Sequence, residues 1–99
     1  MPTLLPELRR RALYPIRRLI DRVDDQLLWW MAGRRRLVAA AARIKQNSGT
    51  PMRDPAREAE VHARAQRLGR RLGLPAASIE RLIDLLIDDA CGQQRIVRG

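Results

Sequence analysis

The sequence predicts an all-helical protein, and three observations support this prediction. Aromatic residues make up only 3% of the 99 residues and phenylalanine is absent, so the 45% apolar content comes mostly from leucine, isoleucine, valine and alanine. Small and unbranched side chains favour helices, whereas aromatic and β-branched residues favour sheets. Apolar residues also recur every three or four positions, as on one face of a helix. Helix start and stop motifs then divide the chain into three such segments.

The first predicted helix is unusually long. Residues 1–12 contain two prolines and are expected to form an irregular or partly helical lead-in to a single domain over residues 13–97. Pro15 suits the first turn of a helix, and no helix breaker follows it before about Gln46. The apolar positions of this helix are separated by three or four residues, with one gap at position 34: Ile16, Ile20, Val23, Leu27, Trp30, Val38 and Ala41.

A turn-forming segment, Asn47–Pro51, separates the first helix from the second. Asp54 is a good N-cap residue and Pro55 suits the first helical position, so the second helix is expected to run from here to about Leu72. His62 is expected on its surface. The face predicted to be buried consists of Glu58, Val61, Ala65, Leu68 and Leu72.

Gly73–Pro75 marks the next break in the chain. The third helix is predicted from about Ala77 to Ile96, with Cys91 as a small buried residue. Its predicted apolar face consists of Ile79, Leu82, Ile83, Leu86, Ile87 and Ala90.

The length of the first helix predicts an intertwined homodimer. About thirty residues at ~1.5 Å each span roughly 45 Å, whereas a compact chain of this size has a radius of gyration of only ~13 Å. Two shorter helices cannot cover an apolar face of that length, so a second copy of the chain is the simplest cover. Trp29 and Trp30 are then expected in the dimer core. The alternative is one long coiled-coil arm.

Composition also excludes several classes of protein. One cysteine excludes a disulfide framework and a multi-cysteine metal site, and one histidine disfavours a histidine-based metal site, so no metal or other cofactor is expected. The longest uncharged apolar stretch, 27–33, is far short of the ~20 residues that a membrane span requires. With no secretory signal evident at the N-terminus, the prediction is a cytoplasmic protein without a membrane partner.

The net charge of +9 raises the possibility of a nucleic-acid partner. Lys45 is, however, the only lysine among the twenty basic residues, and so strong a preference for arginine can reflect a GC-rich coding sequence. A basic helical nucleic-acid-binding protein is therefore kept as a distant alternative. It predicts binding that falls steeply as the salt concentration rises.

Polar side chains interrupt the faces that are predicted to be buried. Arg34 fills the gap in the first helix, Lys45 lies eleven residues further on the same face, and Arg17 flanks its start. Glu58 begins the face of the second helix, and Gln94 continues that of the third. A buried charge costs several kcal/mol unless it is paired, so a polar pocket shared by the three helices explains all five residues together.

Such a pocket would contain cations, one carboxylate and one amide, but no nucleophile and no base that works at neutral pH. It suits a small dianion that carries a hydroxyl group. Each residue also has a structural interpretation: Arg34 could extend to solvent, Lys45 could lie at a frayed helix end, and Glu58 could be a capping acid.

These residues lie in segments that, in this order, resemble the all-helical type II (AroQ) class of chorismate mutase. The resemblance covers roughly residues 13 to 95. The segments that carry it are IRRLIDRVDDQLL at 16–28, RRRLV at 34–38, Lys45, GTPMRDPARE at 49–58, the Gly-Leu-Pro before the third helix, and IDDACGQQ at 87–94.

The resemblance implies an intertwined dimer with two active sites, each completed by one residue of the neighbouring chain. By position, Arg17 would be the residue donated across the interface. Arg17 and Arg34 would hold the two carboxylates of chorismate, with Arg57 assisting at the mouth of the site. The reaction implied is the rearrangement of chorismate to prephenate in the biosynthesis of phenylalanine and tyrosine.

The resemblance also implies roles for the remaining polar residues. Lys45 and Gln94 would hydrogen-bond the ether oxygen of the enolpyruvyl group. Glu58 and the backbone N–H of Asp54 would bind the ring hydroxyl. Ala90 departs from the family pattern, because family members often carry a serine there that hydrogen-bonds a carboxylate; its absence costs about 1 kcal/mol of affinity.

Two other enzymes on the same scaffold remain alternatives, an isochorismate-pyruvate lyase and a 4-amino-4-deoxychorismate mutase. Glu58 mildly favours chorismate, because a ring hydroxyl gives its carboxylate a partner, although an amino group would serve as well. A mutase that depends on a partner enzyme is a third possibility, with Arg95, Val97 and Arg98 as candidate contact residues.

Overall fold

The computed structural model describes residues 4–49, 51 and 53–98 of the chain. Every regular element in this part of the chain is an α-helix, as the composition predicts. None of these helices is long and apolar enough to cross a membrane. The three helices are α1 (Leu4–Ser48), α2 (Pro55–Arg71) and α3 (Ala76–Arg98).

The chain divides into two compact units, residues 1–34 and residues 35–99, with α1 contributing to both. In the first unit, the helix begins at Leu4. Residues 4–12, which were expected to be irregular or partly helical, are thus part of the helix, while residues 1–3 lie outside the described residues. Pro6 falls in the first turn, where a backbone N–H has no acceptor within the helix, so the helix accommodates it.

The early start of α1 changes the position of Pro15. The sequence predicted it in the first turn, but it lies inside the helix. An interior proline cannot donate a backbone hydrogen bond and crowds the preceding turn, at a cost of about 3 kcal/mol. Residues 4–14 are therefore the part of α1 that depends most on contacts beyond its own backbone.

The first unit leaves its apolar side chains uncovered. None of the described residues of 4–34 is buried. Thirteen large apolar side chains here are between 41% and 78% exposed: Leu4, Leu5, Leu8, Leu13, Tyr14, Ile16, Leu19, Ile20, Val23, Leu27, Leu28, Trp29 and Trp30. Complete burial of one such side chain stabilises a fold by about 1.5–3 kcal/mol. A single copy of this chain does not gain that full stabilisation, because none of these side chains is buried.

The second unit has a core of its own, built where α2 and α3 pack against each other. Its buried apolar residues are Ala42 at the end of α1 and Ile79, Ile83 and Cys91 on α3. Gly69 of α2 has no side chain, and this permits α2 and α3 to approach each other closely. A Cβ atom added at Gly69 of α2 would lie 1.7 Å from the Cδ1 atom of Ile79.

Contacts between α1 and α3 also hold this unit together. The side-chain amide of Gln93 donates a hydrogen bond to the backbone carbonyl of Arg35. The guanidinium Nε of Arg35 lies 3.5 Å from a carboxylate oxygen of Asp89. The last third of α1 is therefore tied to the C-terminal half of α3.

The ends of α2 follow the local sequence. Asp54 is its N-cap, as predicted, and Pro55 occupies the first helical position. At the other end, Gly73 has a φ of 71°, a left-handed conformation that glycine adopts without strain. The N–H of Leu74 donates to the carbonyl of Gly69 at 2.9 Å, and the N–H of Gly73 donates to the carbonyl of Arg70 at 3.2 Å. This pair of bonds is a Schellman motif, which ends the helix.

The buried side of α2 differs from the prediction. Leu68 and Leu72 were expected inside but are exposed, whereas Gly69 is buried. The reason is that α2 approaches α3 through Gly69, and neighbouring positions on a helix point about 100° apart. On α1, the buried residue is likewise one position from the predicted one, because Ala42 is buried and Ala41 is exposed.

Candidate active site

The least exposed face of α1 carries two of the predicted site cations. The residues of this face follow one another in steps of three or four: Met31, Arg34, Val38, Ala42 and Lys45. Both Arg34 and Lys45 are half-buried, and Ala42 between them is fully buried. Half-buried cations at helical spacing are expected where a helix contributes to a polar site rather than to a purely apolar core.

Arg17 stands in a different environment. It lies on α1 in the first unit, where it is exposed next to the exposed side chain of Ile16. It is thus part of the same uncovered segment as the thirteen apolar side chains.

The start of α2 positions three predicted site residues through its capping geometry. The carboxylate of Asp54 accepts a hydrogen bond from the backbone N–H of Arg57 at 3.1 Å. The backbone carbonyl of Asp54 accepts from the N–H of Glu58 at 3.0 Å. The Arg57 guanidinium extends outward and hydrogen-bonds the Glu60 carboxylate at 3.0 Å. An exposed pair of this kind is worth under about 1 kcal/mol, so the guanidinium can be released to bind a ligand.

Glu58 is half-buried and has a partner that the sequence analysis did not include among the site residues. The guanidinium of Arg53 donates a hydrogen bond to the Oε1 atom of Glu58. This bond is the main reason why the pKa of Arg53 is raised above its usual value, with smaller electrostatic contributions from Cys91, Glu58 and Asp88.

Helical periodicity could not identify Arg53, because this residue precedes the N-cap and belongs to no helix face. The sequence feature that could have identified Arg53 is its position directly before Asp54, in the segment RDPARE.

Gln94 is the buried polar residue of α3, with only 8% of its surface exposed. Its Oε1 atom has no hydrogen-bond partner among the described residues. An unpartnered buried polar atom costs about 1–3 kcal/mol, which favours a role in binding over a purely structural one. Rotation of the amide exchanges its oxygen and nitrogen, so the same side chain can offer a donor or an acceptor.

The structure thus brings some of the predicted site residues together directly. Hydrogen bonds join Asp54 to Arg57 and Glu58 at the start of α2. Arg53 joins this group through its hydrogen bond to Glu58. Lys45 lies in the last turn of α1, where its carbonyl accepts a hydrogen bond from the Ser48 hydroxyl at 3.3 Å.

Comparison with known proteins gives a family match over most of the chain. Residues 16–95 match the family described as chorismate mutase type II, and all seven predicted site residues fall within this range.

Two kinds of relative are similar to the chain. It is 36% identical over 78 residues to the bifunctional chorismate mutase/prephenate dehydratase of Escherichia coli strain K12, an alignment that covers 79% of this chain and 20% of that protein. The protein of the same name from Shigella flexneri gives the same figures. The chorismate mutase of Methanocaldococcus jannaschii is 38% identical over 56 residues, which are 57% of each chain.

The chain therefore spans about a fifth of the length of its bifunctional relatives. The family match at residues 16–95 includes all of α2 and most of α1 and α3. This chain belongs to the chorismate mutase type II family.

Proposed function

We propose that this protein is a chorismate mutase, an isomerase that converts chorismate to prephenate in aromatic amino-acid biosynthesis. The observation that carries the proposal is the family match over residues 16–95, which contains every polar residue that interrupts the predicted helix faces. We also place the protein in the cytoplasm, where a biosynthetic enzyme of this kind would act.

The chemistry fits a site without a nucleophile. Chorismate rearranges by a [3,3] shift in which the C–O bond breaks ahead of C–C bond formation, so negative charge grows on the ether oxygen. Lys45 as a cation and Gln94 as an amide donor would stabilise that charge. Holding the substrate in its reactive diaxial conformer supplies a further part of the rate increase.

Three arginines would hold the two carboxylates of the substrate. Arg34 would bind from the half-buried face of α1, and Arg57 would bind from the start of α2 after leaving Glu60. Arg17 would come from the neighbouring chain. Planar guanidinium groups suit this task, because each can make two parallel hydrogen bonds to a carboxylate.

The ring hydroxyl would bind at the start of α2. Backbone N–H groups at a helix N-terminus lack acceptors within the helix, so the N–H of Asp54 can donate to this oxygen. Glu58 would accept a hydrogen bond from the ring hydroxyl through Oε2, because Oε1 already accepts from Arg53. Arg53 is then a positioning residue that holds the Glu58 carboxylate toward the substrate.

The homodimer is part of the same proposal. Thirteen exposed large apolar side chains on residues 4–34 need a cover, and a second copy of this chain supplies a matching face. An intertwined arrangement would also bring Arg17 into the active site of the neighbouring chain. The functional unit we propose is therefore a dimer with two composite sites.

The first test is to mix the purified protein with chorismate and measure its consumption. Prephenate is identified by its conversion to phenylpyruvate in acid. Formation of prephenate establishes the reaction, whereas no turnover contradicts the proposal. Isochorismate and 4-amino-4-deoxychorismate then test the two related enzymes, and salt-dependent binding to DNA or RNA tests the nucleic-acid alternative.

The Gln94→Glu variant tests the role of the amide. An ionised glutamate would repel the developing anion, whereas a protonated one could still donate. Burial disfavours the charged carboxylate, so we expect activity at acidic pH that falls as the carboxyl group ionises, while the wild-type activity stays nearly constant across neutral pH. Full activity of the variant at pH 8 would rule out the proposed contact of Gln94 with the ether oxygen.

A further inference from the structure

Among the described residues, three side chains of metal-ligand chemistry that are not in the proposed active site form a cluster between two helices. It joins His62 of α2 to Glu80 and Asp84 of α3, and we propose that it binds a divalent transition-metal ion such as Zn²⁺. One ring nitrogen of His62 and one oxygen of each carboxylate all lie within 4.8 Å of one another. We call these three residues the interhelical cluster.

Packing of α2 against α3 creates this cluster. The sequence predicted a surface position for His62, but it is half-buried, with 28% of its side chain exposed. Its Nδ1 atom lies 3.3 Å from Glu80 Oε1, and its Nε2 atom lies 3.5 Å from Asp84 Oδ1. The imidazole ring therefore stands between the two carboxylates.

The two carboxylates have a reason to bind a cation. Glu80 and Asp84 are four residues apart on α3, so they share one face of the helix and repel each other. A divalent ion between the two carboxylates would offset this repulsion. The site is locally acidic although the chain carries a net charge of +9.

The donor set and spacing suit zinc. Histidine nitrogen and carboxylate oxygen bind Zn²⁺ at about 2.0–2.2 Å in a tetrahedral arrangement, so donors on one ion stand roughly 3.4 Å apart. In the cluster, one donor atom from each of the three residues lies within 4.8 Å of the other two, so the donors must move closer together to share one ion. A rotation of the partly exposed side chains that turns one ring nitrogen toward both carboxylates completes three protein ligands, and water fills the fourth position.

A neighbouring side chain holds one ligand in place. The Nε2 atom of Gln66 lies 3.2 Å from Glu80 Oε2 and also 3.2 Å from the carbonyl oxygen of Ala76, and it donates to both. This contact leaves Glu80 Oε1 facing His62. Hydrogen bonds that orient the ligands from behind are typical of metal sites in proteins.

A single histidine in the sequence disfavoured a histidine-based site. Two carboxylates from α3 supply the remaining ligands, and only the packing of the helices brings them to the ring. Bound metal would connect α2 to α3 and stabilise the folded chain by RT ln(1 + M/Kd), where M is the free metal concentration, so stability rises with the logarithm of M once M exceeds Kd.

The test is calorimetric titration of Zn²⁺ into the full-length, tag-free protein after treatment with a chelator. We expect one saturable site per chain and a melting temperature that rises with Zn²⁺ concentration. Titration with Co²⁺ gives an absorption spectrum without a thiolate band if Cys91 is not a ligand. Absence of saturable binding to the wild-type protein would refute the site.

Variants separate this site from adventitious binding. His62→Ala is expected to abolish binding, and Glu80→Gln and Asp84→Asn, which preserve side-chain shape, are each expected to lower affinity at least tenfold. Glu60→Gln is the matched control, because it removes an exposed carboxylate of α2 outside the cluster and should leave binding unchanged. Binding that survives in all three cluster variants would also overturn the proposal, and circular dichroism of each variant checks that it folds.

Discussion

The two units of this chain differ in how they bury apolar surface. In the second unit, α2 and α3 enclose Ile79, Ile83 and Cys91, with Ala42 of α1 also buried. Among residues 4–34 of the first unit, no side chain is buried and thirteen large apolar ones are exposed. The regular structure described in both regions is α-helix, so helix formation and burial are separate properties here.

This difference indicates where each region obtains its stability. Most helical stability in proteins comes from packing of an apolar face rather than from intrinsic helix propensity. The second unit provides such packing within one chain. The first unit carries the apolar face and an interior Pro15, and it requires a partner surface to realise the same gain. The proposed dimer supplies that surface, and three predictions test this comparison.

The largest expected effect is on catalysis in mixed dimers. Arg17→Ala and Lys45→Ala should each lower activity by about 10²–10³-fold, because each removes a charged contact in the proposed site. If Arg17 acts in the site of the neighbouring chain, a dimer of the two variants contains one intact site. Refolding an equal mixture should then restore about a quarter of the wild-type activity, since half of the dimers are mixed and each has one working site of two.

Activity assays of the two variants alone and after mixed refolding make this measurement. Mixed refolding that restores no activity would place Arg17 in the site of its own chain. Arg43→Ala is a suitable control, because it removes an exposed cation of α1 close to Lys45 and should retain activity.

A smaller effect is expected on assembly. Leu27→Glu places a charge on the exposed apolar face of α1, whereas Gln26→Glu adds the same charge at the adjacent position. Burying an unpaired charge costs several kcal/mol, so we expect the dissociation constant of the Leu27→Glu dimer to rise at least about 100-fold, at 1.4 kcal/mol per factor of ten.

Analytical ultracentrifugation over a concentration series measures this change. The Gln26→Glu protein should sediment as the wild type does. Equal dimer stability of the two variants would show that this face is not the interface.

The smallest expected effect concerns the second unit. Gly69→Ala introduces a Cβ atom 1.7 Å from Ile79 Cδ1 and 2.9 Å from Ile79 Cγ1, so the helices or the buried isoleucine must shift. We expect a loss of about 1–2 kcal/mol in the free energy of unfolding, because overpacking outweighs the gain in helix propensity.

Urea denaturation of both proteins measures this loss. Gly92→Ala is the matched control, since it also lies in a helix but its Cβ would have no heavy atom within 4 Å. It should stabilise the protein by up to about 1 kcal/mol. A Gly69→Ala protein as stable as this control would show that the α2–α3 contact tolerates separation.

The sequence predicted the helices better than it predicted the faces that they bury. The boundaries of α2 and α3 lie within a few residues of the predicted ones, and Gln94 and Cys91 are buried as expected. On α2, however, Leu68 was expected inside and is exposed. Periodicity locates an apolar face to within about one residue, which corresponds to a rotation of about 100° on a helix.

Local chemistry determined much of this protein. Asp54 and Pro55 begin α2, and Gly73 ends it, because capping depends on side chains and φ angles within a few residues. The spacing that places Arg34 and Lys45 on one face of α1 is also a local property of the helix.

Tertiary structure decided the rest. The pairing of Arg53 with Glu58 depends on the path of the chain into α2, and the position of His62 between Glu80 and Asp84 depends on the rotation of α2 against α3. That rotation follows from the contact of Gly69 with Ile79, which are ten residues apart and on different helices. Such contacts are set by how two surfaces fit, and no periodic pattern within one helix contains that information.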